Sequence, residues 1–119
     1  MTRRTRTLAV LAAAVLAGPA GALAHHGWSG YDDSRTLTLE GTIRESGYEH
    51  PHGFVRLETP EKTWLVVLAP PSRMERRGLP REALAVGTSA VVVGYPSRRD
   101  PDEMRAERIT IGGKTTELR

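Results

Sequence analysis

The feature that most constrains this chain is a pair of short segments, Trp64–Leu68 and Ala90–Val93, that are apolar at every position. Side chains of a strand point alternately to its two faces, so a strand with one buried face needs only alternate apolar residues. A strand that is apolar on both faces is typical of a central position in a sheet that is covered on both sides. We therefore expect these two segments to lie at the centre of a β-rich core.

The segment Thr36–Arg44 shows the other strand pattern, in which apolar and polar residues alternate. Leu37, Leu39 and Ile43 share one face, which predicts a half-buried strand. Gly41 falls on that apolar face. An interior glycine in a strand often marks a bend or bulge, of the kind that a small barrel needs to close.

The predicted elements follow a simple order. The predicted strands are Thr36–Arg44, Gly53–Glu58, Lys62–Leu68, Ser89–Tyr95 and Met104–Ile111, and Gly112-Gly113 predicts a final hairpin onto Thr115–Leu118. After the third strand, the spacing Ser72-x-x-Glu75 predicts a capping box and a short helix that ends at Gly78. This order predicts an all-β fold with small α content, namely an OB-like five-stranded barrel with one short helix between strands 3 and 4. An open β-sandwich is the alternative.

Residues 1–24 have the three parts of an export signal. Arg3, Arg4 and Arg6 give a positive start, Leu8–Leu16 is apolar, and Ala22-Leu23-Ala24 is a small-x-small cleavage site. The apolar run is far shorter than the ~20 residues of a membrane-spanning helix, so a membrane anchor is the weaker interpretation. We predict a signal peptide at 1–24, an N-terminal arm at 25–35 and the OB-like barrel domain at 36–119. The processed protein would be periplasmic or secreted and not embedded in a membrane.

Charge and cysteine content narrow the class of partner. The formal net charge of +3 includes the three arginines of the predicted signal, so the mature domain of 95 residues has 14 basic and 14 acidic side chains. A balanced domain lacks the clustered Lys and Arg that attract phosphate backbones, and nucleic acid is not expected as a partner. The chain has no cysteine, which excludes disulfides and thiolate ligands.

All four histidines lie between positions 25 and 52, and cleavage after Ala24 would make His25 the first residue. The α-amino nitrogen and the Nδ1 of a terminal histidine can close a six-membered chelate ring on one metal ion. His26, His50 and His52 are the other candidate ligands, and in an extended segment His50 and His52 would face the same side. Copper is the preferred ion for such nitrogen donors, with zinc less favoured. The alternative is that the histidines are solvated or bond to backbone and hold no metal.

The segment Gly27–Arg35 is aromatic and polar and shows no sustained period. Its two large aromatic residues, Trp28 and Tyr31, predict an ordered arm that docks onto the domain as packing. A frayed terminus is the alternative, because chain ends are often poorly ordered where nothing ties them down.

Five motifs follow one another along the mature chain: His25-His26-Gly27-Trp28, Tyr31-Asp32, Thr38-Leu39-Glu40-Gly41-Thr42, Pro51-His52 and Arg76-Arg77-Gly78. In this order they resemble a family of short exported bacterial proteins of unknown function. Its members carry His-His at the mature N-terminus and Asn-Pro-His before the second strand. This chain has His50 in place of that Asn, so the resemblance carries over to His52 and leaves His50 as an additional histidine. The resemblance implies no activity.

Three classes of function fit these observations. The first is an exported metal-binding protein, a copper carrier or buffer with His25, His26 and His52 as ligands and His50 as an additional candidate, which could exchange its ion with another periplasmic protein. The second is an OB-like periplasmic module that binds a small molecule, peptide or envelope protein without metal. The third is a copper-dependent oxidase, which ranks last because no substrate surface is evident. Motifs of hydrolases and nucleotide enzymes are absent, so we predict no catalytic or organic-cofactor residues.

Overall fold

The computed structural model describes residues 27–119. The predicted signal peptide and the residues His25 and His26 lie outside this range. Within it, the strands are β1 Leu37–Gly47, β2 Phe54–Glu58, β3 Thr63–Val67, β4 Ser89–Pro96, β5 Glu103–Ile111 and β6 Lys114–Glu117. The helix α1 spans Pro71–Arg76, and single 3-10 turns span Trp28–Gly30 and Arg81–Leu84.

The strands form one closed barrel. The sheet order is β3-β2-β1-β4-β5-β6, and a further pairing of β3 with β5 joins the two ends of the five-stranded part. That closing pair is parallel, with Val66 opposite Met104, whereas the other pairs are antiparallel. A parallel pair needs a crossover connection, which α1 and β4 supply here. The OB-like five-stranded barrel predicted from the sequence is therefore confirmed, with β6 as the predicted hairpin extension of β5.

Alternate residues of each strand fill the barrel interior. Val55 and Leu57 of β2, Val66 of β3 and Val92 of β4 are fully buried. The expectation that both faces of β3 and β4 are covered holds only in part, because the residues between these, such as Leu65 and Val91, are half-buried. A single barrel has one interior, so the second apolar face of a strand is covered only where another segment crosses it.

The start of α1 differs from the prediction. Ser72 lies inside the helix, which begins at Pro71, and no side chain caps its first turn. Proline suits the first helical position because its φ angle is preset and its missing N–H has no partner there anyway. The predicted end is confirmed, since the chain leaves the helix at Gly78 with a φ of +81°. Among residues 27–119, no helix is both long and apolar enough to cross a membrane.

β1 is longer than predicted and contains an irregularity in its pairing with β2 between Ile43 and Glu45. The unpaired residue is Arg44, so the predicted bulge lies three residues beyond Gly41. Gly41 has a separate role, because a Cβ atom at this position would collide with the backbone carbonyl of Glu58. Glycine is required here so that the two strands can approach each other.

We expect Gly41→Ala to lower the free energy of unfolding by about 1–3 kcal/mol, because relieving the collision requires a backbone shift. Gly30→Ala is the matched control, since a Cβ at Gly30 has no atom within 4 Å, and it should stay within about 0.5 kcal/mol of the parent. Urea denaturation measures both. Equal stabilities of the two variants would contradict the close approach.

Candidate metal site

The arm, which here means residues 27–35, runs along the end of β4. Tyr31 forms an isolated antiparallel bridge with Ser97. The backbone N–H of Asp32 donates to the carbonyl oxygen of Pro96 at 2.9 Å. The arm is thus tied to the barrel by backbone hydrogen bonds as well as by its side chains.

Trp28 docks on the outer face of the barrel, as the sequence predicts. Its ring meets the ring of Tyr95 edge-on at a centroid distance of 5.9 Å. Two guanidinium groups lie over the Trp28 ring, that of Arg105 at 4.4 Å and that of Arg119 at 4.7 Å from its centroid. Cations are attracted to the electron-rich face of an indole, so these contacts hold the arm against β5 and the C-terminal residue.

Arg105 is the buried polar residue at the centre of this contact. It is only 5% exposed and lies between Met104 and Ala106 on β5. Its Nη1 donates to the carbonyl oxygen of Gly27 at 3.1 Å, and its Nη2 lies 3.3 Å from Nε2 of His52. One guanidinium therefore joins the first described residue of the arm to a predicted metal ligand.

The charge of Arg105 lacks a carboxylate within ion-pair distance among residues 27–119. Its Nε is buried and has no hydrogen-bond partner in the same part of the chain. Burial lowers the pKa of Arg105, the interaction with Tyr31 opposes this change, and the positive charges of Arg73 and Arg119 add to it. The buried cation is thus stabilised by a carbonyl, an imidazole and an aromatic ring.

His52 is half-buried at the end of the loop that joins β1 to β2. This loop is fixed at both ends. The hydroxyl of Tyr48 donates to the carbonyl oxygen of Leu79 at 2.6 Å, and the N–H of Gly53 donates to that of Ala69 at 2.9 Å. Because a guanidinium can only donate, Nε2 of His52 must accept, which places the proton of the neutral ring on Nδ1.

The other predicted ligands lie elsewhere. His50 is exposed on the same loop, and the peptide bond between it and Pro51 is cis. The loop is not a strand, so the rule that residues two apart share a face does not apply to His50 and His52. His25 and His26 lie outside the described residues, although His26 is joined to Gly27 by one peptide bond. Within residues 27–119, no three His, Asp or Glu side chains are grouped so that they could hold a metal ion.

A cavity of about 290 Å³ lies between the arm and the loop that joins β4 to β5. Its lining residues are Ser29, Gly30, Tyr31, Ser97, Arg98, Arg99 and Glu103. The hydroxyl of Tyr31 donates to Oε2 of Glu103 at 2.8 Å. Burial raises the pKa of Tyr31, and the hydrogen bond to the Glu103 carboxylate raises it further.

Sequence reasoning missed Arg105 and Arg119. The pairs Arg76-Arg77 and Arg98-Arg99, by contrast, are exposed. Arg105 gave no signal of its own, because an arginine on the outer face of a strand is normally solvated. Only its neighbours on the arm and on the loop before β2 make it a buried residue.

Comparisons with known proteins bear on the family and on the fold. The profile of a family of unknown function, DUF6152, matches residues 12–104. No curated protein matches the chain. A ZRD-deleted mutant of TiaS in complex with agmatine is similar in structure, with a TM-score of 0.51 and 22% sequence identity over 74% of this chain and 25% of that one. A complex of TiaS with a transfer RNA and ATP gives a TM-score of 0.48 and 23% identity over 75% and 20% of the two chains.

This chain therefore spans about a quarter of the length of the TiaS chain that it matches. At 22% identity the likeness concerns the fold alone.

Tyr31→Phe removes the hydroxyl that donates to Glu103, and we expect it to lower the free energy of unfolding by about 1 kcal/mol at pH 7. The folded-state pKa of Tyr31 is raised, so the hydroxyl stabilises the protein fully below the unfolded-state pKa of about 10 and less as the pH rises above it. The stability difference between the two proteins should therefore shrink above pH ~10. Urea denaturation across this range measures it.

Glu103→Gln is the control for this prediction, since the amide oxygen can still accept from Tyr31 and its effect at pH 7 should be smaller. A stability difference between the parent and Tyr31→Phe that does not change with pH would contradict the assigned role of the hydroxyl.

Proposed function

The chain belongs to the family of unknown function DUF6152, and we propose that it is an exported periplasmic metal-binding protein, most concretely a copper carrier or buffer. The proposed ligands are the α-amino nitrogen and imidazole of a mature N-terminal His25, together with His26 and His52. His50 is an additional candidate on the exposed part of the loop. The proposal depends on signal cleavage after Ala24.

One contact carries the proposal. The guanidinium of Arg105 touches both the carbonyl oxygen of Gly27 and Nε2 of His52. The arm therefore begins, within the described part of the chain, beside the histidine that the motif pattern selects. Because His26 precedes Gly27 by one peptide bond, a mature terminus at His25 would start two residues from this contact. A chain end so close to His52 supports a site shared by the two.

The donor chemistry favours copper. An α-amino nitrogen and imidazole nitrogens are ligands of intermediate softness that suit Cu(II), and imidazole also accepts Cu(I) and Zn(II). Copper forms the most stable complexes of the divalent first-row metals with such nitrogen sites. The chain offers no thiolate that would favour zinc or an iron–sulfur cluster instead.

A second candidate function rests on the cavity between the arm and the β4–β5 loop. Its lining combines Arg98 and Arg99 with the Tyr31–Glu103 pair. Polar groups of both signs in a concavity suit a small polar molecule. This observation favours the alternative of an OB-like module that binds a small molecule, rather than a peptide or an envelope protein, without metal.

For the metal proposal, we expect the protein that begins at His25 to bind one equivalent of copper at neutral pH. Adding one residue before His25 converts the amine into an amide and removes a metal ligand. Loss of a group that only hydrogen-bonds to a ligand weakens metal binding by about 10–100-fold, so loss of the ligand itself should weaken it by more than about a hundredfold. Copper titration against a competing chelator measures both affinities. Equal affinities would exclude the terminal chelate.

The loop histidines provide a second test. We expect His52→Ala to weaken copper binding more than His50→Ala, because His52 lies beside the start of the arm and His50 is exposed. Binding to the parent should also weaken as the pH falls, since amines and imidazoles, with reference pKa values near 7.7–8.0 and 6.5, must lose protons to bind. The same competition assay measures these changes. An affinity of His52→Ala equal to that of the parent would remove His52 from the ligand set.

A further inference from the structure

The hydrogen bond between Arg105 and His52 uses the atom that a metal ion would need. A neutral imidazole has one ring nitrogen with a proton and one with a lone pair. In His52 the lone pair on Nε2 accepts from the guanidinium of Arg105. Coordination through either nitrogen of the neutral ring ends this arrangement, because binding at Nδ1 would move the proton to Nε2.

We infer that Arg105 competes with the metal ion for His52, so that the hydrogen-bonded and the metal-bound states of this histidine exclude each other. This inference rests on the proposed function, and it identifies Arg105 as a positioning residue that sets the metal affinity of the site. Metal binding at His52 is accompanied by release of the guanidinium from the imidazole.

The release carries a cost because of where Arg105 lies. The side chain is 5% exposed, and its Nε already has no partner among the described residues. When His52 binds the metal ion instead, Nη2 of Arg105 loses its acceptor as well. The carbonyl of Gly27 and the ring of Trp28 still hold the guanidinium. A lost hydrogen bond to a charged group lowers an equilibrium constant by about tenfold or more. Arg105 thereby keeps binding reversible, as a carrier or buffer requires.

Arg105 also holds the arm, and this second role must be separated from the competition. Arg105→Met removes both the contact with Gly27 and the contact with His52. In a His52→Ala background the competition is already absent, so the same substitution affects only the arm. Comparing the effect of Arg105→Met in the two backgrounds isolates the part that involves His52.

The test measures copper dissociation constants of four proteins that begin at His25: the parent, Arg105→Met, His52→Ala and the double variant. We expect the change caused by Arg105→Met to be at least about tenfold more favourable to binding with His52 present than in the His52→Ala background. Arg108→Met is the matched control on the same strand, because Arg108 pairs with Glu117 instead, and it should change affinity equally in both backgrounds.

The outcomes distinguish the two proposals. If His52→Ala weakens binding but Arg105→Met acts equally in both backgrounds, the metal proposal stands and the competition is wrong. If His52→Ala binds copper as the parent does, His52 is not a ligand and both proposals fail at this residue. The position of the His52 proton can be measured on the parent alone, so this test holds even if a variant misfolds. In ¹⁵N spectra of the metal-free parent we expect this proton on Nδ1. A proton on Nε2 would overturn the competition.

Discussion

The parallel pairing of β3 with β5 is the contact on which the rest of the structure depends. It closes the barrel and sets Val67 opposite Arg105, while Val67 also pairs with Phe54 at the start of β2. His52 lies two residues before Phe54. Closure therefore brings Arg105 beside His52, although the two residues are 53 positions apart in the chain.

The arm buries the arginine that closure of the barrel brings beside His52. The outer face of β5 carries Arg105, which would be an ordinary solvated arginine on a bare barrel. Gly27 and Trp28 cover it, and a second guanidinium, that of Arg119, lies over the same indole ring. A buried cation is costly unless polar or aromatic groups surround it. The arm and the buried arginine therefore stabilise each other, which explains why the arm is ordered against the barrel.

The similarity of this chain to known proteins establishes its family and its fold but not its function. The chain belongs to a family whose function is unknown, and its likeness to TiaS, over a quarter of that chain, concerns the fold alone. OB-like barrels host many unrelated ligands, so the function must be argued from a site. Here that site is the convergence of the arm with His52 at one guanidinium, and the metal proposal and its regulation both depend on that geometry.

Local pattern in the sequence determined the five strands, the β5–β6 hairpin, the short helix and the docking of Trp28, because periodicity and turn residues act over a few positions. It failed at Ser72, where Pro71 begins the helix instead, and at β3, whose outer face is only partly covered. The motif pattern marked His52 as a candidate ligand, which stays a prediction, and it gave no sign that Arg105 would contact this histidine. Only the tertiary structure decided that partner, since the register between strands distant in the chain and the path of the arm are set by packing and not by neighbouring residues.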